Sequence, residues 1–283
     1  MNSKIFNRKA SRIYLLLVPL LVVIFGFGIG KISYTFYLPI WIINVCLMVA
    51  SAWILGLHVN NKKNEMRHLA LGAFFLIVPW ILISMFFGLG PPPETPAGWV
   101  ETASEQQIRY FMLFVAGVFI ASGFALLREK LKTEGENFYS LLGFVAIIIA
   151  IPLFIVNMLF WGFSLTELFK ILVASNTENL PEWSKPIRAL FGLISVVEVA
   201  LTYIAIAAFA VSMKLAGWLS KTTSQIYVTI SLLAFLIIVL SAFLPEPFLT
   251  AGFVLSIPAI PFLMPYFMGI NLLQRAGDYS FRD

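Results

Sequence analysis

The sequence predicts an all-α integral membrane protein of eight transmembrane helices, arranged as four helical hairpins with both termini cytoplasmic. Three observations carry that expectation. The chain of 283 residues is 60% hydrophobic and 12% charged, against about 45–50% and about 25% in ordinary soluble domains. A soluble core of this size cannot hide so much apolar side chain, and the composition argues equally against a disordered chain or a nucleic-acid-binding module. Charges also punctuate the chain at bilayer intervals, since a hydrocarbon core of about 30 Å needs about 20 apolar residues in a helix. Finally, the basic residues segregate. With the N-terminus inside, fourteen of the nineteen Lys and Arg fall on inner segments (Lys4, Arg8, Lys9, Arg12, Lys62, Lys63, Arg67, Arg128, Lys130, Lys132, Lys214, Lys221, Arg275 and Arg282). Only Lys31, Arg109, Lys170, Lys185 and Arg188 are left outside, as the positive-inside rule requires. The net charge of +5 thereby follows from topology and anionic inner-leaflet lipid.

Long apolar runs mean helices, because barrel strands alternate over about ten residues and lipid leaves no backbone group unbonded. The first helix, 13–30, follows four basic residues and resembles a signal peptide. Its apolar run is too long and lacks an A-x-A site, so a retained anchor is expected. A tight outer turn near Lys31–Thr35 leads to the second helix, 36–58. The third, 69–89, ends at the GPPPETP stretch, which must be extended. Ser104 and Gln107 have capping-box spacing ahead of the fourth, 109–127. After the fifth, 138–162, Ser164 and Glu167 repeat that spacing. Leu165, Leu168, Phe169 and Leu172 at helical intervals then predict a short interfacial helix over 165–174. The remaining spans are 188–213, 223–244 and 249–272. The hairpins cover roughly 1–64, 65–134, 135–222 and 223–283 of a single domain, 1–283.

Spans three and five share a pattern, Pro79, Ser84, Met85 and Phe87 matching Pro152, Asn157, Met158 and Phe160. The next spans both open with Ile-Arg, at Ile108–Arg109 and Ile187–Arg188, after Trp99 and Trp183. The pattern suggests parallel repeats, an arrangement found in transporters.

Glu198 is the one ionisable side chain deep in a span, about 15 Å from Arg188 and about 24 Å from Lys214 at the helical rise. An intramembrane acid is a functional candidate by default. Ser195 and Thr202 share its face, Ser212 lies further along, and no Lys or Arg lies at that depth. Burial disfavours the charged form, so the carboxyl is expected to be neutral when dry and charged when wetted, as a proton-coupled carrier requires. The alternative is a protonated acid acting as packing glue through Asn44 or Asn157. Pro258, Pro261 and Pro265 in span eight, with Pro152, Pro79 and Pro19 elsewhere, free backbone carbonyls. They mark SIPAIPFLMP as a kinked or interrupted hinge. Arg109 and Arg188 stand at the outer mouths of spans four and six. There they serve as snorkelling anchors, attract anions, or close against Glu101, Glu105 and Glu182. The long outer loops read first as a cap over the bundle and second as a lid.

Asp278 and Asp283, both in the C-terminal tail, are the only aspartates. The only histidines, His58 and His68, lie at inner span ends, and the single Cys46 forms no pair. GxSxG, HExxH, P-loop and Rossmann patterns are absent. No catalytic residue, metal or cofactor is expected. The expected partners are the lipid bilayer, a small solute or ion, and a protein partner or second copy; the expected location is the cell (plasma or inner) membrane. The leading functional expectation is a carrier or channel for a small solute or ion, with Glu198 at its centre. The alternative is a non-catalytic assembly subunit or a ligand or lipid sensor. A water-accessible cavity at Glu198 speaks for the first, a dry helix contact for the second.

Overall fold

A computed structural model describes residues 2–28, 31–58, 64–175 and 181–279. Lys62, Lys63, Arg282 and Asp283 lie outside them, as do 176–180 of the second long outer loop. All regular structure among the described residues is helical. Seven helices are long and apolar enough to cross a membrane, or eight if one bent pair counts as a single span.

The elements in order are α1 (Asn2–Gly28), α2 (Tyr34–Leu55), α3 (Asn64–Ile83), α4 (Phe86–Leu89), α5 (Pro96–Glu101), α6 (Ala103–Thr133) and α7 (Phe138–Leu159). A π-helical turn, Phe160–Ser164, follows, then α8 (Leu165–Ala174), α9 (Ser184–Leu215), α10 (Lys221–Ser241), α11 (Phe248–Ser256) and α12 (Ala259–Tyr279). The helices outrun the uncharged stretches that announce them. α6 and α9 extend past 109–127 and 188–213 at both ends, because long charged side chains at a helix terminus reach polar surroundings while their backbone stays helical.

Three sequence expectations are corrected. Helix three does not reach residue 89: it stops at Ile83, turns at Ser84–Met85 and resumes as α4. The segment 165–174 forms a short helix with the expected bounds, α8, and the π turn joins it to α7 without a loop. Neither capping box forms, for related reasons. Ser164 is already helical, with no free N–H groups to cap. α6 starts at Ala103, before Ser104, with Thr102 at its N-cap making no side-chain cap bond.

The stretch expected to be span eight is divided between α11 and α12, which meet at 51°. Pro258 at the break has no N–H to continue the ladder. The Val254 carbonyl it would have bonded accepts from Ile257 N instead, at 3.2 Å, and the neighbouring Leu255 carbonyl accepts from the Tyr203 hydroxyl of α9 at 3.3 Å. The C-terminal end of α9 closes on Gly217 at φ 69. Trp218 N there donates to Met213 O and Gly217 N to Lys214 O, the two bonds of a Schellman motif. The same pair of bonds ends α6, from Glu136 N to Leu131 O and from Gly135 N to Lys132 O.

The buried core runs through α3, α6, α7, α9 and α12. Phe124 of α6 stacks on Phe209 of α9 at 4.4 Å. Phe154 of α7 meets Phe262 of α12 edge-on at 5.2 Å, and Trp80 of α3 tilts against Tyr266 of α12 at 5.8 Å. α1, α2 and α10 carry long rows of exposed apolar side chains, among them Ile13, Leu20, Ile43, Ile226 and Leu233. In a bilayer these rows face lipid. Over one end of the bundle, α5 packs on α8 through Trp99, whose indole N–H donates to Thr166 Oγ1 at 2.9 Å. α5 and α8 thus cover that end of the bundle.

Candidate functional site

Glu198 sits where α9 changes character. From Lys185 to Val197 the helix is exposed or half-buried; from Glu198 to Ala200 and again through Ala205–Ala210 it is buried. The small alanines let neighbouring helices close around this half, and Glu198 enters the bundle at its outer margin with 2% of its surface exposed. Asn157, on the last turn of α7, donates through Nδ2 to Glu198 Oε1 at 3.0 Å. Thr202 Oγ1 donates to the Glu198 backbone carbonyl at 2.8 Å, so this hydroxyl serves its own helix rather than the carboxyl. Ser195 is half-buried and makes no bond to Glu198.

Asn44 does not join this group. Its Nδ2 donates to Ser84 Oγ at 3.0 Å, and its Oδ1 accepts from the Tyr14 hydroxyl at 2.7 Å. Ser84 Oγ in turn donates to Ile81 O at 2.7 Å. The chain of bonds ties α1 and α2 to the turn where α3 breaks, a structural task for Asn44.

Two acceptors at the Glu198 contact lack partners, Glu198 Oε2 and Asn157 Oδ1, both buried. A carboxylate and a carboxamide oxygen cannot bond each other, since neither has a hydrogen. A proton on Oε2 turns one of the pair into a donor. The acid and the amide, two planar forks, can then exchange two hydrogen bonds instead of one. The arrangement therefore suits a neutral carboxylic acid, and releasing the proton leaves a buried charge held by one amide N–H.

Two irregular backbone segments and a helical proline lie close to this pair along the chain or through Tyr203. Asn157 lies three residues before the π turn, and Phe160 of that turn stacks on Phe191 of α9 at 3.8 Å. Tyr203, just over one turn after Glu198, holds the carbonyl freed at the α11–α12 break. Pro152 lies five residues before Asn157 within α7. Of the prolines expected to act as a hinge, Pro258 is at the break, Pro261 in the first turn of α12, and Pro265 inside that helix. Glu198 is closed over by protein on nearly all of its surface, in a contact between α9 and α7.

The two arginines at the outer mouths part company. Arg109 is buried, its Nη2 donating to Gly90 O at 2.9 Å and its guanidinium 5.3 Å above the Phe86 ring. Arg188 is exposed on the first turns of α9. Glu105 pairs with Lys31 at 2.8 Å and Glu182 with Lys185 at 2.7 Å, so the expected closure of the arginines on these acids is not seen.

Sequence reasoning missed Glu136, which reads as one more charge in an inner loop. It is buried, accepting from Tyr139 N at 2.8 Å through Oε1 and from Ser140 N at 3.1 Å through Oε2. It also accepts from the Ser212 hydroxyl of α9. Burial pulls its carboxyl upward, but the Ser212 hydroxyl and the Tyr139 and Ser140 amides outweigh that and hold it below the ordinary carboxylate value. An acid immediately ahead of a helix, with free amides to bond, is the signal that could have found it. No group of three or more His, Cys, Asp or Glu side chains converges as a metal site among the described residues. No protein-family model, curated protein or solved structure matches this chain.

Proposed function

We propose that the chain is a multi-pass carrier or channel of the cell membrane for a small solute or ion, with Glu198 as its mid-membrane acidic site and the break at Pro258 as its hinge. In this reading α11 and α12 form one interrupted span. Eight crossings then make four hairpins, and both termini are cytoplasmic. The observation that carries it is the placement of a lone intramembrane acid between two interrupted helices, the π turn after Asn157 and the break held by Tyr203. Helix interruptions beside an intramembrane charge suit a site that must open and re-form bonds. The neutral acid–amide pair is then the closed, proton-loaded state.

The close burial of the contact favours a second reading. There the pair is packing glue, and the protein is a non-catalytic assembly subunit or a ligand or lipid sensor. Flux separates the two. In proteoliposomes screened for proton-linked uptake, wild-type protein shows flux that depends on an imposed pH gradient. Glu198→Gln, which keeps the two-bond pair but holds no exchangeable charge, loses that dependence. Glu198→Leu leaves Asn157 unpaired and costs about 1–3 kcal/mol of stability. Flux from Glu198→Gln that matches wild type at every pH removes the transport role of this residue.

A further inference from the structure

We propose that the buried guanidinium of Arg109 is an outer-side site for a phosphate-class oxyanion, carried by a phospholipid headgroup or free in solution. The inference is independent of any transport role for Glu198. Arg109 stands two turns into α6, at the end of the bundle capped by α5 and α8. It is 7% exposed, and its Nε is buried with no hydrogen-bond partner. Its one hydrogen bond goes to the neutral Gly90 carbonyl, and its face lies over Phe86.

A guanidinium has five N–H donors in a rigid fork, and one carbonyl leaves most of them unused. Buried charges are otherwise paired, because removing a cation from water without a counter-charge is costly. Among the described residues no carboxylate supplies that counter-charge directly. Glu105, one turn earlier on α6, lies within electrostatic range of Arg109. Its carboxylate, however, is held by Lys31 Nζ at 2.8 Å, and among the described residues no carboxylate forms an ion pair with Arg109. The fork geometry matches oxyanions that accept two parallel bonds. Phosphate is the abundant oxyanion at the depth where a span meets the headgroup layer, and Lys31, half-exposed beside the site, offers a second cation.

The test uses the full chain, purified in a neutral detergent and stripped of lipid, with thermal unfolding as the readout. Two probe pairs separate the sources: inorganic phosphate against chloride at equal ionic strength, and dioleoyl phosphatidylglycerol against dioleoylglycerol, which lacks the phosphate. Wild-type protein gains about 3 °C or more from a phosphate-bearing probe near saturation, and none from its control. A response to inorganic phosphate identifies a site for the free anion; a response to the phospholipid alone assigns a headgroup site. Arg109→Lys, which keeps the charge but not the fork, loses most of the response, and Arg109→Gln loses all of it. If wild type responds to neither probe, or Arg109→Lys responds in full, the side chain is a structural clamp on Gly90 and the proposal fails. Should Arg109→Gln not fold, the wild-type and Arg109→Lys arms decide alone.

Discussion

Glu136 joins two parts of the chain through one carboxyl: the start of α7 through Tyr139 and Ser140, and the C-terminal end of α9 through Ser212. Its carboxyl lies below the ordinary value of 4.5 in the folded protein, so the folded state binds its proton less readily than the unfolded chain does. The stability this contributes is complete above about 4.5 and is lost as pH falls through the lower folded value. Glu136→Gln removes one acceptor for the two amides. It is expected to cost about 1–2 kcal/mol at neutral pH and to flatten the acid limb of the stability curve. Thermal melts of both proteins from neutrality through the carboxylate range check this; parallel acid limbs would show that Glu136 contributes nothing specific. Glu198 was legible because a single charge in a long apolar run stands out. Its partner was not. Asn44 and Asn157 are equivalent choices in the sequence, and only the packing of α7 on α9, with α2 elsewhere, separates them.

At the scale of elements, the span centres were legible and their interruptions only in part. Pro258 marked a break because three prolines cluster there, and the break formed at the first of them. The π turn left no trace, since FWGFS is as apolar as its neighbours and contains no proline. The turn at Ser84–Met85 lies five residues past Pro79, beyond the reach of a local rule. The suggested repeat has partial echoes. α6 and α9 have 31 and 32 residues and share a Schellman ending. Trp99 is buried where Trp183 is exposed, and Arg109 is buried where Arg188 is exposed. Close helix approach leads to a prediction. A Cβ added at Gly269 of α12 would stand 2.5 Å from the Ala73 carbonyl of α3, backbone that cannot swing aside. Gly269→Ala should therefore push α12 from α3 and cost about 1–3 kcal/mol, read as a lowered unfolding midpoint in detergent. An unchanged midpoint would mean that α12 shifts freely, against the packing described here.

For the whole molecule, contacts between distant segments sort the helix ends onto two sides. Arg8 pairs with Asp278 at 2.9 Å and donates to the carbonyls of Leu55 and Gln274, while Arg275 reaches Gly217 O. The beginning of α1 and the ends of α2, α9 and α12 therefore share one side. On the other, Ile32 N donates to Gly88 O at 3.0 Å, Lys31 pairs with Glu105, and Trp99 bonds Thr166. A membrane chain that begins and ends on one side crosses an even number of times, as the eight spans proposed above, with α11 and α12 as one, require. The side with Arg8, Arg128, Lys130 and Lys214 holds most of the basic residues and is expected to face the cytoplasm. Single cysteines in a Cys46→Ser background test this with a membrane-impermeant maleimide on intact cells. Cysteines replacing the exposed Glu94, Glu182 and Glu246 should label at once. Those replacing the exposed Asn7, Thr133 and Asp278 should label only after lysis. If Asn7→Cys and Asp278→Cys label from opposite faces, the crossing number is odd and the Arg8–Asp278 pair cannot exist in the membrane. If both label from outside, the charge asymmetry does not orient this protein, and the outer assignments of Arg109 and of the α5–α8 cap reverse with it.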